Sequence, residues 1–215
     1  MKIIFQDEHI IVCIKPESII SQSESARRET MISLLKSETK GEIFPVHRLD
    51  KQTAGLMVFA KTKAAAAFLS AEITSGNFKK EYLSLVHGKP QEESAVLKDL
   101  LFKDSTKNKS YVVKRERKGV KKASLEYELI NTISIENKEF SIVKVLLHTG
   151  RTHQIRVQFA SRGLPLVGDR KYGAQDSFDS LGLWSYSLTF HHPETKEEIS
   201  FKSEPQNVIK DYIVK

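Results

Sequence analysis

Residues able to do chemistry are concentrated in a few short stretches. His47-Arg48-Leu49-Asp50 places an imidazole, a guanidinium and a carboxylate within four positions. Lys51-Gln52-Thr53-Ala54-Gly55 follows, and then the apolar run Leu56-Met57-Val58-Phe59-Ala60. The run reads as a buried strand, and Thr53-Ala54-Gly55 as the turn into it. Asp50 is therefore expected on a loop presented by a sheet, a common place for catalysis. A surface ion pair between Arg48 and Asp50 accounts for the same residues equally well.

A second concentration is His148-Thr149-Gly150-Arg151-Thr152-His153-Gln154-Ile155-Arg156. Gly150 suggests a tight turn and Thr152 a helix cap. Ile155 and Phe159 share a helical face that Gly163 would end. Thr149, Arg151, His153 and Arg156 then gather at one strand-to-helix junction, where backbone N–H groups and the helix dipole favour an anion. Tyr82 lies in the strand pattern from Lys79 to Val86 and reads as an ordinary strand aromatic. The pair His191-His192 lacks a carboxylate at helical ligand spacing, so a solvated turn is expected rather than a metal site. Cys13, inside Ile10-Ile11-Val12-Cys13-Ile14, reads as a packed thiol; one cysteine makes neither an internal disulfide nor a cysteine-rich zinc site.

Several reaction classes are disfavoured. The sequence has no Gly-x-Gly-x-x-Gly, no Gly-x-x-x-x-Gly-Lys and no Gly-x-Ser-x-Gly, nor an acidic cluster spaced for magnesium. An ionised aspartate can attack a sugar carbon or take a proton. An acid/base or nucleophilic Asp50 in a basic, RNA-binding protein is as far as the residues alone lead.

The elements that must position these groups read as strands in hairpins with few helices. Strand patterns cover Ile3–Phe5, Ile10–Ile14, Ala123–Leu129, Phe140–Leu147, Trp184–Phe190 and Glu198–Phe201. Ser18–Arg28 reads as a polar loop. Helices are expected over Thr30–Lys36, over Lys63–Ser75 between a Thr62 cap and Gly76, and after Pro205. The sum is α+β, a mostly antiparallel mixed β-sheet with flanking helices and loops. No composition break divides residues 1–215, so a single domain is expected. Hydrophobic residues at 40% suffice for a core, and no apolar run has membrane-spanning length. A soluble, cytoplasmic protein follows as the expectation. Lysine plus arginine (34) exceed aspartate plus glutamate (27), which favours a polyanionic partner. Residues 91–119, rich in lysine and arginine, fit a solvated basic hairpin or an RNA-contacting arm.

The chain resembles the RluA-type pseudouridine synthases. His47 to Leu56 is similar to their signature His-Arg-Leu-Asp-x-x-Thr-Ser-Gly-Leu, and Lys80-Glu81-Tyr82-Leu83-Ser84-Leu85-Val86-His87-Gly88 to their tyrosine strand. Thr149 to Arg156, followed by Gly168-Asp169-Arg170-Lys171-Tyr172-Gly173, is similar to their third block. Asp7-Glu8 through Lys15-Pro16 is similar to their opening hairpin.

The resemblance implies conversion of uridine in RNA to pseudouridine, with N1–C1′ cleavage and rejoining through C5, and without cofactor, metal or nucleotide. Asp50 would be the catalytic aspartate, Tyr82 the active-site tyrosine and Arg156 the aspartate's partner. Arg48 would enter the space left by the flipped base. His47, Thr53, Arg151, His153 and Ile155 complete the expected RNA-binding set. Two positions depart from the pattern: Ala54 stands where serine is usual, and Gln158, where histidine is common, is expected to alter RNA contacts. A monomer acting on ribosomal or transfer RNA is expected, starting directly at the catalytic domain with no separate N-terminal RNA-binding domain, unlike many relatives. Target choice would then fall to loops such as 103–122. A catalytically silent RNA-binding or assembly factor is the alternative; a nucleoside glycosidase would need a second carboxylate.

Overall fold

The structure, a computed structural model, describes residues 1–23 and 29–213. The part of the expected Ser18–Arg28 loop from 24 to 28 lies outside the described residues. In chain order the elements are β1 (Lys2–Gln6), β2 (Ile10–Lys15), α1 (Met31–Thr39), β3 (Phe44–Pro45), β4 (Ala54–Ala60) and α2 (Lys63–Ser75). There follow β5 (Lys79–His87), β6 (Ser94–Asp104), β7 (Lys109–Val113), β8 (Val120–Ile135), β9 (Lys138–Leu147) and α3 (Gln154–Ala160). The last strands are β10 (Leu183–His191) and β11 (Glu198–Lys202). The helix expected after Pro205 is a 3-10 turn, Val208–Tyr212, capped by Asn207.

Two compact units emerge: Met1–Lys80 with Ser185–Glu204, and Glu81–Trp184 with Pro205–Lys215. In the first, the strand order is β1-β2-β4-β10-β11, with β3 also on β4. The pairs β1/β2, β2/β4, β3/β4 and β10/β11 are antiparallel. Ile10–Lys15 and Ala54–Ala60 are buried along their whole length, which explains their nearly unbroken apolar runs. Gly55 sits at φ 114°, and a Cβ there would meet the Ser185 carbonyl oxygen at 2.4 Å. Only glycine lets β4 approach β10 so closely. Helix α2 is capped by Thr62, whose side chain accepts the Ala65 N–H, and ends at Gly76 in the left-handed region, as its sequence predicts. Thr30 and Ser33 form a reciprocal capping box on α1.

The paired histidines are not a solvated turn. His191 Nδ1 lies 2.6 Å from Glu72 Oε2, and His192 Nε2 lies 2.7 Å from Asp7 Oδ2. The partners come from α2 and the β1–β2 turn, which sequence spacing cannot show. Among the described residues no cluster of three potential ligands could hold a metal.

In the second unit the order is β5-β9-β8-β6-β7, every neighbouring pair antiparallel. The 16-residue β8 is its spine. Glu136 and Asn137, at φ 49° and 60°, make the two-residue turn into β9. The basic segment does form a hairpin, β6–β7, with β6 also paired to β8. Helix α3 rests on β6 and β7, and its Val157 packs with Leu101 of β6 and Ala123 of β8.

Candidate active site

Asp50, Arg48, His47 and Thr53 lie in the first unit. They occupy the connection between β3 and β4. Burial alternates along it: His47 and Leu49 are buried, Arg48 is exposed and Asp50 half-buried. The two candidate chemical groups thus sit at the outward positions, and their neighbours anchor the backbone.

The anchors are specific. His47 Nε2 accepts the Val58 N–H at 3.1 Å, continuing the β3/β4 ladder just where the main chain leaves it. The ring lies against Phe78, with centroids 5.7 Å apart. Burial, helped by the Lys80 charge, pushes the His47 pKa down to about 3, so the ring is neutral. With Nε2 accepting, the proton belongs on Nδ1, a buried atom with no hydrogen-bond partner. His47 supports the loop from the interior. Thr53, also buried, donates its N–H to the Asp50 carbonyl at 3.1 Å and so closes the turn.

A residue absent from the expected set stands beside this loop. Lys15, at the end of β2, is fully buried and donates Nζ to the carbonyls of Pro16 (2.8 Å) and Lys51 (3.1 Å). Burial lowers its pKa to about 8 against the opposing pull of Glu17 and Asp50. Burial likewise raises the Glu17 carboxyl, and Lys15 opposes it. A lysine closing a hydrophobic strand is the signal available in the sequence.

Tyr82, Arg151, His153, Ile155 and Arg156 lie in the second unit. Tyr82 is buried on β5, opposite Val145 of β9. Helix α3 begins at Gln154 rather than behind a Thr152 cap; its N-cap is His153, at φ 52°. Gln154 builds this corner. Its Oε1 accepts from Thr149 Oγ1 (2.7 Å) and the Arg151 N–H (3.0 Å), and its Nε2 donates to the Ser124 carbonyl (3.0 Å). The junction is therefore internally bonded, and the seven-residue helix presents no long dipole. Ile155 is buried and packs the helix down. Gln158 is buried too, donating to Asp99 Oδ2 at 2.7 Å and so tying the helix to β6.

Arg156 is buried, and its Nε and Nη2 fork onto Asp169 at 2.7 Å each. Tyr172 lies under the guanidinium, 5.2 Å from ring centroid to Cζ. The Tyr172 hydroxyl accepts the Ser110 N–H at 2.8 Å and lies 2.9 Å from His153 Nδ1. Arg151 points outward, its Nε donating to the Lys122 carbonyl on β8.

The RNA pseudouridylate synthase family matches residues 9–161, a span containing Asp50, Tyr82 and Arg156. The chain belongs to that family. An uncharacterized RNA pseudouridine synthase of Aquifex aeolicus is 34% identical over 98% of this chain and 71% of its own length. The dual-specificity RNA pseudouridine synthase RluA of Vibrio vulnificus is 32% identical over 90% of this chain and 79% of its own. These relatives make the protein an RluA-type RNA pseudouridine synthase, an isomerase of uridine in RNA. Human RNA pseudouridylate synthase domain containing 1 has the same fold, with TM-score 0.78 and 23% identity over 95% of this chain and 83% of that one. The antiparallel α+β architecture expected from the sequence is the pseudouridine synthase fold.

Proposed function

We propose that this pseudouridine synthase acts through Asp50 on one or a few uridines of structured ribosomal or transfer RNA. The alternation along residues 47–50 carries the reading: the anchored His47 and Leu49 leave Arg48 and Asp50 at the accessible positions. The target base must leave its stack, at a cost of about a few kcal/mol. Arg48 fills the space it vacates. Asp50 then either attacks C1′ as the N1–C1′ bond breaks, the resulting Asp50–C1′ ester breaking again when C5 bonds to C1′, or takes the C2′ proton as that bond breaks and returns it to C2′ when C5 bonds to C1′. In both routes the base turns, the C5 proton is lost and N1 is protonated. Reactant and product are isomers, so neither oxidant nor reductant is consumed.

Tyr82 stacks on the base and receives the C5 proton, and Arg156 supplies the countercharge to Asp50. Arg151, backed against Lys122, extends the basic surface of β6–β8 toward the phosphates. The enzyme works as a cytoplasmic monomer without a nucleotide cofactor. Among the described residues no helix is long and apolar enough to cross a membrane.

Pseudouridine mapping of total RNA, with and without the gene, tests the reading. Loss of modification at a small set of uridines, restored by the wild-type gene but not by Asp50→Asn, is expected. An unchanged map, or restoration by Asp50→Asn, overturns it.

A further inference from the structure

We propose that Ser21 is a positioning residue for Asp50, a role resting on the reading of Asp50 as the catalytic carboxylate. The Ser21 hydroxyl donates to the Leu49 carbonyl at 2.9 Å and accepts the Leu49 N–H at 3.1 Å. One side chain satisfies both main-chain polar groups of the residue immediately before Asp50. Ser21 and Leu49 are both buried, so water does not replace these bonds. Neither do the flanking strands, because β3 ends at Pro45 and β4 begins at Ala54.

Ser21 is itself held firmly. Its neighbour Ile20 bridges Thr30, and the Ile20 carbonyl accepts the Met31 N–H at 2.9 Å, at the first residue of α1. The capping box of α1 therefore fixes the chain that carries the hydroxyl. Beyond Asp50, the Lys51 carbonyl accepts from Lys15 Nζ at 3.1 Å and from the Ser18 N–H at 3.0 Å. Asp50 is thus bracketed, with Ser21 on its N-terminal side and the Lys51 carbonyl on the other.

The bracket matters for rate rather than for grip. Removing the hydroxyl frees the peptide plane between Leu49 and Asp50, and a displacement of about 1 Å in a reacting group costs on the order of 10²-fold in rate. Ser21 is buried and does not face the RNA, so affinity is untouched.

Tritium release from total RNA of cells lacking the gene, labelled with uridine tritiated at C5, measures turnover, and filter binding of the same RNA measures affinity. Ser21→Ala and the near-isosteric Ser21→Cys are expected to lose on the order of 10²-fold in single-turnover rate, with affinity within about twofold of wild type. Ser21→Thr, which keeps a hydroxyl, restores rate above the Ala level. Circular dichroism at the assay temperature confirms folding, and Ser21→Cys carries the test should Ser21→Ala not fold. Wild-type rate in either variant while Asp50→Asn is silent overturns the proposal alone. So does a loss of affinity equal to the loss of rate, or a Ser21→Thr no faster than Ser21→Ala. Turnover by Asp50→Asn overturns instead the reading of Asp50 beneath it.

Discussion

Arg156 and Asp169 are joined by two parallel hydrogen bonds, Nε to Oδ2 and Nη2 to Oδ1, each 2.7 Å long. Both residues are buried. Asp169→Ala is expected to destabilise the protein by about 3–5 kcal/mol, because it strips a buried guanidinium of its fork. Arg156→Lys will not restore the geometry, since an ammonium cannot bond both carboxylate oxygens in parallel. Urea unfolding measures the loss; a change below about 1 kcal/mol would match an exposed pair and refute the role.

His47 is expected to stay neutral throughout the working pH range. Its folded pKa of about 3 lies below the ordinary 6.5, so the unfolded chain binds a proton that the folded chain refuses. The contribution is complete above pH 6.5 and is lost progressively as pH falls toward 3. The imidazole resonances of His47 should therefore not titrate between pH 5 and 8 in a ¹⁵N-labelled sample. A midpoint near 6.5 would place the ring in water.

Three carboxylates make the fold acid-sensitive in a lower window. Burial pushes Asp7, Glu72 and Asp176 upward, but hydrogen bonds outweigh it and leave all three below their ordinary 3.8, 4.5 and 3.8. For Asp7 these bonds come from the N–H groups of Ile10 and His9 and from His192. Their stabilisation is full above pH 4.5 and falls away as pH drops through 3.8 and below, where the folded carboxylates take up protons. Asp7→Asn should flatten the stability profile below pH 4, and Asp176→Asn likewise. An unchanged acid limb in both would refute the assignment.

The exposed lysines and arginines of the β6–β8 region are expected to contact phosphate. Replacing Lys114, Arg115, Lys118 and Lys121 with Gln should weaken RNA binding and reduce its salt slope by about 0.7–0.9 for each phosphate no longer neutralised. Titrations at several salt concentrations decide this. The same slope in the variant would show a solvated face.

Much of the local structure is legible because its causes lie within a few residues. Thr62 and Gly76 mark the ends of α2, and the alternation from Trp184 to Phe190 marks β10. Helix α3 is harder to delimit. Its start depends on Gln154 reaching Ser124, thirty positions earlier, and not on a capping hydroxyl at Thr152. Gln158 of α3 likewise takes a distant partner, Asp99 on β6, which no local pattern reveals.

By itself the sequence determined the strand-and-hairpin character of the chain, its helix caps, its positive charge and, through four ordered blocks, its resemblance to pseudouridine synthases. Each depends on composition or on short-range spacing. The tertiary structure alone decided which groups meet: His192 with Asp7, Arg156 with Asp169, Lys15 and Ser21 with the main chain around Asp50. Such pairings join residues 13 to 185 positions apart. No local propensity encodes them, because a buried polar group takes whichever partner the folded chain brings within about 3 Å.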